Sequence, residues 1–334
     1  MLIGKPNVGK SNILEAIGLH GLGHCHLPTN QKLTEFVRFE NIRELFNDGN
    51  VNEDISVDID ISSTNTIGGR PNKCRVKYLG SNIENITESN LEGKQLAIRF
   101  FGDGENTCFE LVEEILVDDQ FNVTAMTNSS GRILGVKQYI FPTKLNLSGR
   151  YFPYLIPPHG ANLHSVIQDE KTLKTDLTRT LSEYGLRFVI DNSNHSLKVF
   201  KNLKELGDDI ILSLPYSSIA DTLQRLIFFK AAITSNVNSV LLFEEPEAHC
   251  FPPYITHIAR EIIDSETNQF FIATHSPYIL DTFLEKDRND LAIYMVDFKE
   301  GQTVVKRLTD AELNEVYEYG LDLFFNAELF TDEI

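Results

Sequence analysis

Eight residues near the start of the chain, Gly4-Lys-Pro-Asn7-Val-Gly9-Lys10-Ser11, fit the spacing G-x-x-x-x-G-K-[ST] in full. They stand directly after an apolar stretch, Met1–Ile3, and directly before a segment with Ile13, Leu14, Ile17 and Leu19. This reads as strand, glycine-rich turn and a helix of roughly Lys10–Leu22, the context such a turn requires. Glycine lets successive N–H groups turn inward, and the helix N-terminus adds its dipole, so the turn becomes a cradle for phosphate oxygens. Lys10 would reach the β- and γ-phosphates, and the Ser11 hydroxyl would ligate Mg²⁺, a hard cation that takes oxygen donors. Gly4, Asn7, Gly9 and Asn12 complete the binding stretch. A turn that opens a helix by chance would have to reproduce both glycines, the lysine, the serine and both flanks together.

Two further stretches place polar groups at the end of an apolar run. In Val240-Leu-Leu-Phe243-Glu244-Glu245-Pro246-Glu247 two carboxylates follow a buried-type strand. There the first acid can hold Mg²⁺ or its water shell, and the second can orient and deprotonate an attacking water; Glu244 and Glu245 take these roles in turn. A solvated acidic loop is the plainer reading. In Phe271-Ile-Ala-Thr274-His275-Ser276-Pro277 a histidine stands at the same kind of place, where it can hydrogen-bond a γ-phosphate; a lone histidine is otherwise a capping or packing residue. Ser218 and Asp221, ahead of a helix at Thr222–Ile233, have the spacing of a capping box.

These residues need a scaffold that brings them to one edge. Apolar strands at Ser239–Phe243, Gln269–Ala273 and Leu291–Val296, with a helix at Pro253–Asp264 between the first two, predict a mostly parallel sheet covered on both faces. Ligands in such sheets sit at the C-terminal strand ends. Between about 50 and 145 the pattern changes to short strands, Ile55–Ile61, Cys74–Tyr78, Gln95–Phe101 and Cys108–Val117, which reads as an antiparallel β-rich insertion. A helix at Lys171–Tyr184 and a hairpin of Arg187–Asp191 with Ser196–Phe200 follow.

Composition narrows the function class. A net charge of −18 over 334 residues argues against a nonspecific nucleic-acid clamp, which needs clustered Lys and Arg; a local basic groove or a basic protein partner stays open. No apolar run is long enough to span a bilayer, and no signal segment opens the chain, so the expectation is a cytoplasmic protein with no membrane partner. Four scattered cysteines imply no disulfide framework. His20, His24, Cys25 and His26 are close in sequence, yet lie where a helix ends and have no second cluster; they read as a helix terminus rather than a metal site.

Gly4–Ser11 with Asn12-Ile-Leu-Glu-Ala-Ile17, Leu242-Phe-Glu-Glu-Pro-Glu-Ala-His249 and Ala273-Thr-His-Ser-Pro277 resemble the ABC-like ATPases of the SMC, RecF and OLD group, most of all the OLD-like AAA ATPases of bacterial anti-phage systems. Pro157-Pro-His-Gly-Ala-Asn-Leu163 resembles a segment preceding the distal lobe in these proteins. The resemblance implies an α/β P-loop NTPase fold of the ABC head type with an antiparallel β-rich insertion. It implies one ATPase domain over 1–334, made of a phosphate-loop segment 1–45, the insertion 46–150, a helical signature lobe 151–235 and an acidic-motif and histidine lobe 236–334. It implies ATP and Mg²⁺ as cofactors, and ATP hydrolysis in a homo-dimer or higher homo-oligomer.

In the family a Ser-Gly-rich helix start of one subunit touches the γ-phosphate held by another. Ser217 and Ser218 match that position, and Ile219 stands where the glycine would be. The family also places a strand hairpin before the phosphate loop, which predicts an in-frame hairpin upstream of Met1. Many OLD proteins continue into a Toprim nuclease; the end at Ile334 implies a separately encoded effector, a nuclease among the candidates, as for the ATPase subunits of Septu or PARIS systems. The readings to separate are an ATP-driven switch or sensor, a nucleotide-bound scaffold with negligible turnover, and a RecF-like DNA-repair ATPase.

Overall fold

Two apolar periodicities build two units. In a computed structural model of the chain, which describes residues 1–22, 31–59, 71–79, 93–103, 109–125, 135–148, 151–191, 194, 196–203, 210–286 and 290–331, unit 1 comprises Met1–Ser11 with Tyr139–Ile334, and unit 2 comprises Asn12–Gln138. The chain passes from one to the other within helix α1 (Lys10–Leu19) and within strand β7 (Val136–Tyr139).

Unit 2 is built on β2 (Ile55–Asp58), β3 (Pro71–Tyr78), β4 (Lys94–Asp103), β5 (Phe109–Asp118) and β6 (Val123–Ala125), in that order, with every pairing antiparallel. Alternate residues Cys74 and Val76, Leu96, Ile98 and Phe100, and Ile115 and Val117 are buried in one core with Leu22, Phe36 and Phe46. This is the period of two that a sheet with one buried face requires. On its other face, Arg99 opposes Glu114 across β4 and β5 and donates to it at 2.5 Å. The helix α1 stops at Leu19, three residues before the expected Leu22. Gly21 follows, where any side chain would meet the Val136 carbonyl, 2.4 Å from an ideal Cβ. His24, Cys25, His26 and Cys108, with residues 60 and 61 of the expected strand at 55–61, lie outside the described residues.

Unit 1 follows the expected alternation. After β1 (Leu2–Ile3) come α2 (Leu163–Asp169), α3 (Lys171–Ser182), then β8 (Leu186–Asp191), β9 (Ser196–Leu203) and β10 (Ile210–Pro215). These three strands make an antiparallel sheet in which β9 is central. Next are α4 (Asp221–Thr234), β11 (Val240–Glu244), α5 (Pro252–Ile263), β12 (Gln269–Ala273), α6 (Pro277–Lys286), β13 (Tyr294–Lys299), β14 (Gln302–Arg307), α7 (Asp310–Tyr319) and α8 (Ala327–Thr331). The main sheet has the order β14-β13-β1-β12-β11-β7. Strands β13, β1, β12 and β11 run parallel, and β14 returns antiparallel to β13.

Leu241, Leu242 and Phe243 are fully buried, as a strand covered on both faces must be. Helix α5 lays Ile255, Ile258, Ala259 and Ile262 on one buried stripe. Residues 157–163 form a turn held by buried Asn162, whose Oδ1 accepts from the Ile156 N–H at 2.7 Å and whose Nδ2 donates to the Tyr154 carbonyl at 2.9 Å. The fold is therefore α/β of the P-loop NTPase kind, with a mostly parallel sheet and a separate antiparallel β-rich unit, as the sequence implies. No described helix is long and apolar enough to cross a membrane.

Register decides what meets at the strand ends. Leu2 is opposite Ala273, and Ala273 is opposite Glu244. The loop after β1, the acids after β11 and the histidine after β12 thus emerge from adjacent parallel strands at the same C-terminal edge.

Candidate functional site

The phosphate loop is shaped by two close approaches. A Cβ on Gly4 would lie 2.2 Å from the Val296 carbonyl oxygen of β13, and one on Gly9 would lie 2.1 Å from Thr303 Oγ1 of β14. Gly9 also has φ +98°, a conformation that side chains resist, and Asn7 at the exposed loop tip has φ +62°. Thr303 is a neighbour of the loop that no sequence motif singles out. Lys10 is buried, and its Nζ donates to the Gly4 and Lys5 carbonyls, both at 2.8 Å. Burial holds its pKa below the ordinary lysine value, while Glu245 and Glu244 pull it back up. At the loop tip Lys5 pairs with Glu328 of α8 at 2.6 Å, with both side chains exposed.

Ser11 Oγ donates to Glu244 Oε1. The residue from the first helical turn and the residue from the end of β11 thus present a hydroxyl and a carboxylate to each other, a pair of oxygen donors of the type Mg²⁺ takes. Glu245, the next residue, has φ +42°, and its N–H donates to the Ala273 carbonyl at 2.8 Å. A non-glycine residue in that region carries strain, which strand ends at functional sites commonly store. Its carboxylate stands 3.6 Å from His275 Nε2, with both side chains partly exposed. Burial and then the Lys10 charge lower the His275 pKa, and Glu245 opposes them. The neutral ring is thereby favoured, with one nitrogen free to accept or donate.

Glu247 has a role that the sequence reading did not assign. It is buried, and its Oε1 accepts from Thr274 Oγ1 at 2.6 Å and from the His275 N–H at 3.0 Å. Thr274 Oγ1 in turn accepts from the Ser276 N–H at 3.0 Å. The carboxylate therefore stitches the end of β11 to the peptide that carries His275. Glu247 Oε2 is buried with no hydrogen-bond partner among the described residues, and burial pushes the Glu247 pKa up. The sequence signal was its place three residues after Glu244, too weak to distinguish it from a solvated loop acid.

Not every expected residue joins this cluster. Asn12 is exposed on the first turn of α1 and belongs to unit 2. Ser217 and Ser218 lie in a single 3₁₀ turn, Tyr216–Ser218, exposed just before α4. The capping box expected for Ser218 and Asp221 does not form: Ala220 is the N-cap and gives no side-chain cap. Ile219 is buried in the main core, so the helix starts beyond it, and Asp221 pairs with Arg225 one turn on at 3.0 Å. His20 is buried, with Nε2 3.1 Å from the Val57 carbonyl in unit 2. Among the described residues no group of three or more His, Cys, Asp or Glu is placed to hold a metal. Any cation at the loop would thus rest on few protein ligands, the habit of Mg²⁺, which keeps waters and substrate phosphates in its shell.

Three solved structures are similar to the chain in part. An Smc head bound to the C-winged helix domain of ScpA is 13% identical, with 94% of this chain and 91% of that chain covered and a TM-score of 0.44. An Smc head with an extended coiled coil, bound to the C-terminal domain of ScpA and derived from Pyrococcus furiosus, is 13% identical over 95% and 92% of the two chains, with a TM-score of 0.42. The ADP conformation of an ATP-binding cassette of an ABC transporter is 14% identical over 63% and 74%, with a TM-score of 0.29. No curated protein matches the chain. Residues 136–281, which include Glu244, Glu245, Glu247 and His275, match the family model described as "AAA domain, putative AbiEii toxin, Type IV TA system".

Proposed function

We propose that this chain binds ATP with Mg²⁺ at the loop Gly4–Ser11, hydrolyses it slowly, and acts as a nucleotide-controlled switch on a separately encoded effector in anti-phage defence. The observation that carries the ATPase reading is the convergence of Lys10, Ser11, Glu244, Glu245 and His275 at the ends of adjacent parallel strands. Lys10 would exchange its two carbonyl partners for phosphate oxygens. Ser11 and Glu244 would hold Mg²⁺, which when bound neutralises and orients the phosphates. Glu245, held at its strained φ by the bond to Ala273, would accept a proton from water, and neutral His275 would hydrogen-bond the γ-phosphate. The defence role rests on the sequence resemblance, and the matched family description, which names a toxin–antitoxin system, supports a two-component arrangement.

Association of subunits is part of the reading. Ser217 and Ser218 are exposed at a helix start, where an anion held by a second copy could approach. Ile219, turned into the core where the family has a glycine, favours slow turnover and, at its limit, a scaffold that retains nucleotide. Two variants test the assignment together. Lys10→Ala should weaken ATP binding by roughly tenfold or more, because a charged donor to the phosphates is lost. Glu245→Gln should bind ATP like the parent but release phosphate at least ~100-fold more slowly, since the amide cannot take the proton. Unchanged ATP affinity in the first, or undiminished turnover in the second, removes the corresponding role.

A further inference from the structure

The order of the main sheet gives a bound triphosphate a direction. Glu245 and His275, which would face the γ-phosphate, follow β11 and β12 and stand on one side of β1, while β13 and β14 stand on the other. A triphosphate is a linear chain, so with its γ end toward β12 its nucleoside leaves the loop toward β13 and β14. That hairpin already lies against the loop: the Val296 carbonyl closes on Gly4, and Thr303 closes on Gly9.

Register shows what the hairpin presents there. Residues directly opposed in an antiparallel pair share a face, as do alternate residues of one strand. Phe298 is opposed to Thr303, Val296 to Val305 and Tyr294 to Arg307, so the face that meets Gly9 through Thr303 also carries Phe298 and Val305. Asp297 and Lys299 fall on the reverse face, and Lys299 Nζ donates to the Thr331 carbonyl of α8 at 2.6 Å. The face beside the loop therefore has an aromatic ring and no carboxylate, in a chain of net charge −18. Phe298 is 54% exposed and Val305 43%, although both sit in paired strands. The hairpin that holds them is tight: it turns through two residues, Glu300 and Gly301, at φ +51° and +81°, the positive pair that a two-residue turn of this kind needs.

We infer that Phe298 is the stacking platform for the purine base of the nucleotide, with Val305 extending its apolar surface and Thr303 joining it to the phosphate loop. The inference deepens the ATP-binding reading above and rests on it. An aromatic ring offers a base its π-face whatever hydrogen-bonding edge the base carries, so the platform adds affinity and favours the larger purine face without telling adenine from guanine. One cross-strand step, about 5 Å between Cβ atoms, separates Phe298 from the residue that touches Gly9; a ribose bridges such a gap. Phe325 is barer still, at 90% exposure. It leads into α8, the helix tied to Lys299 of the reverse face, and so serves as the control.

The test uses the whole chain with Mg²⁺ and two probes, ATP and inorganic tripolyphosphate, which keeps the phosphates and lacks the base. In titration calorimetry Phe298→Ala should weaken ATP by about tenfold and leave tripolyphosphate unchanged, whereas Lys10→Ala should weaken both. Phe325→Ala should alter neither. The chain has no tryptophan, so Phe298→Trp supplies a single indole. Its emission should be quenched by ATP and by GTP but not by tripolyphosphate, and its ATP affinity should match or exceed the parent's. Equal loss of both probes in Phe298→Ala would make the ring a support of the loop and overturns the platform. So does ATP affinity that Phe298→Ala leaves unchanged, an indole that ATP does not quench, or a loss that appears in Phe325→Ala instead. A parent that binds both probes equally well removes the platform alone; a parent that binds neither removes the phosphate-loop reading, and the platform with it.

Discussion

Replacing Glu247 with alanine strands two donors at the heart of the site. Thr274 Oγ1 and the His275 N–H both give their hydrogen bonds to Glu247 Oε1, and Thr274 is fully buried. The Thr274 hydroxyl already accepts from Ser276 N–H, so its proton has Glu247 as its acceptor. A buried donor left unmade costs about 1–3 kcal/mol, and the truncation adds a small cavity. Against this, a charged carboxylate no longer has to be buried, which returns part of the loss. The balance is a destabilisation of about 2–4 kcal/mol. For a chain of this size Tm moves by roughly 2 °C per kcal/mol, so Glu247→Ala should melt roughly 4–8 °C below the parent.

Glutamine separates the acceptor from the charge. It keeps an oxygen for Thr274 and His275 and cannot ionise, so Glu247→Gln should cost far less than alanine. Burial raises the folded pKa of Glu247 above its ordinary 4.5. A carboxyl shifted in that direction contributes stability that is fully present below the unfolded pKa and is lost as pH rises through the folded one. The parent should therefore lose stability relative to Glu247→Gln as pH climbs above 4.5, while the variant lacks this slope. Calorimetry of parent, Ala and Gln variants across that range reads both effects. Alanine melting within about 1 °C of the parent, or glutamine as damaging as alanine, would refute the account of Glu247 as the anchor of the His275 peptide.

Gly9→Ala sets a side chain against Thr303 at φ +98°; strain of about 1–3 kcal/mol should distort the loop, and titration calorimetry should show ATP affinity lowered by at least about tenfold in a folded chain. Unchanged affinity would mean the loop does not need this geometry. Ser218→Arg should weaken ATP-dependent association of the Glu245→Gln protein in mass photometry while sparing ATP binding, because ligand and assembly are linked. A parent that stays monomeric with and without ATP and Mg²⁺ removes the shared interface.

The phosphate loop and the apolar strands were legible because each rests on local rules. The loop needs glycine at fixed places, Leu241–Phe243 shows burial on both faces as an unbroken apolar run, and Phe270–Ala273 is an apolar run that is buried toward its C-terminal end. What stayed hidden depends on partners far along the chain. Glu247 gains its meaning from Thr274 and His275, 27 and 28 residues on, and nothing in its neighbours separates it from a solvated acid. Thr303 approaches Gly9 only because β14 folds back on β13. The third strand β10 and the helices α2, α6, α7 and α8 carry short or mixed patterns that tertiary packing completes. The capping box failed for a similar reason: Ser218 and Asp221 have the spacing, but burial of Ile219 fixes the turn and shifts the helix start past it.

The groups that would meet a nucleotide are already bonded within the chain, and this couples the nucleotide to the cation. Lys10 gives two bonds to loop carbonyls and Ser11 gives one to Glu244. An arriving triphosphate must take Lys10 from those carbonyls, and the charge of Lys10 is already shared with Glu244 and Glu245. Phosphate oxygens alone would meet two carboxylates with a single ammonium between them, a balance that favours repulsion in a partly dry site. Ser11 and Glu244 would hold a divalent cation in exchange for their mutual hydrogen bond, and its charge would offset that of the phosphates and the carboxylates. On the proposed reading, nucleotide and cation therefore bind as one unit. Glu245, at its positive φ, holds its carboxylate 3.6 Å from His275 Nε2, so the second acid faces the histidine as well as the Lys10 charge.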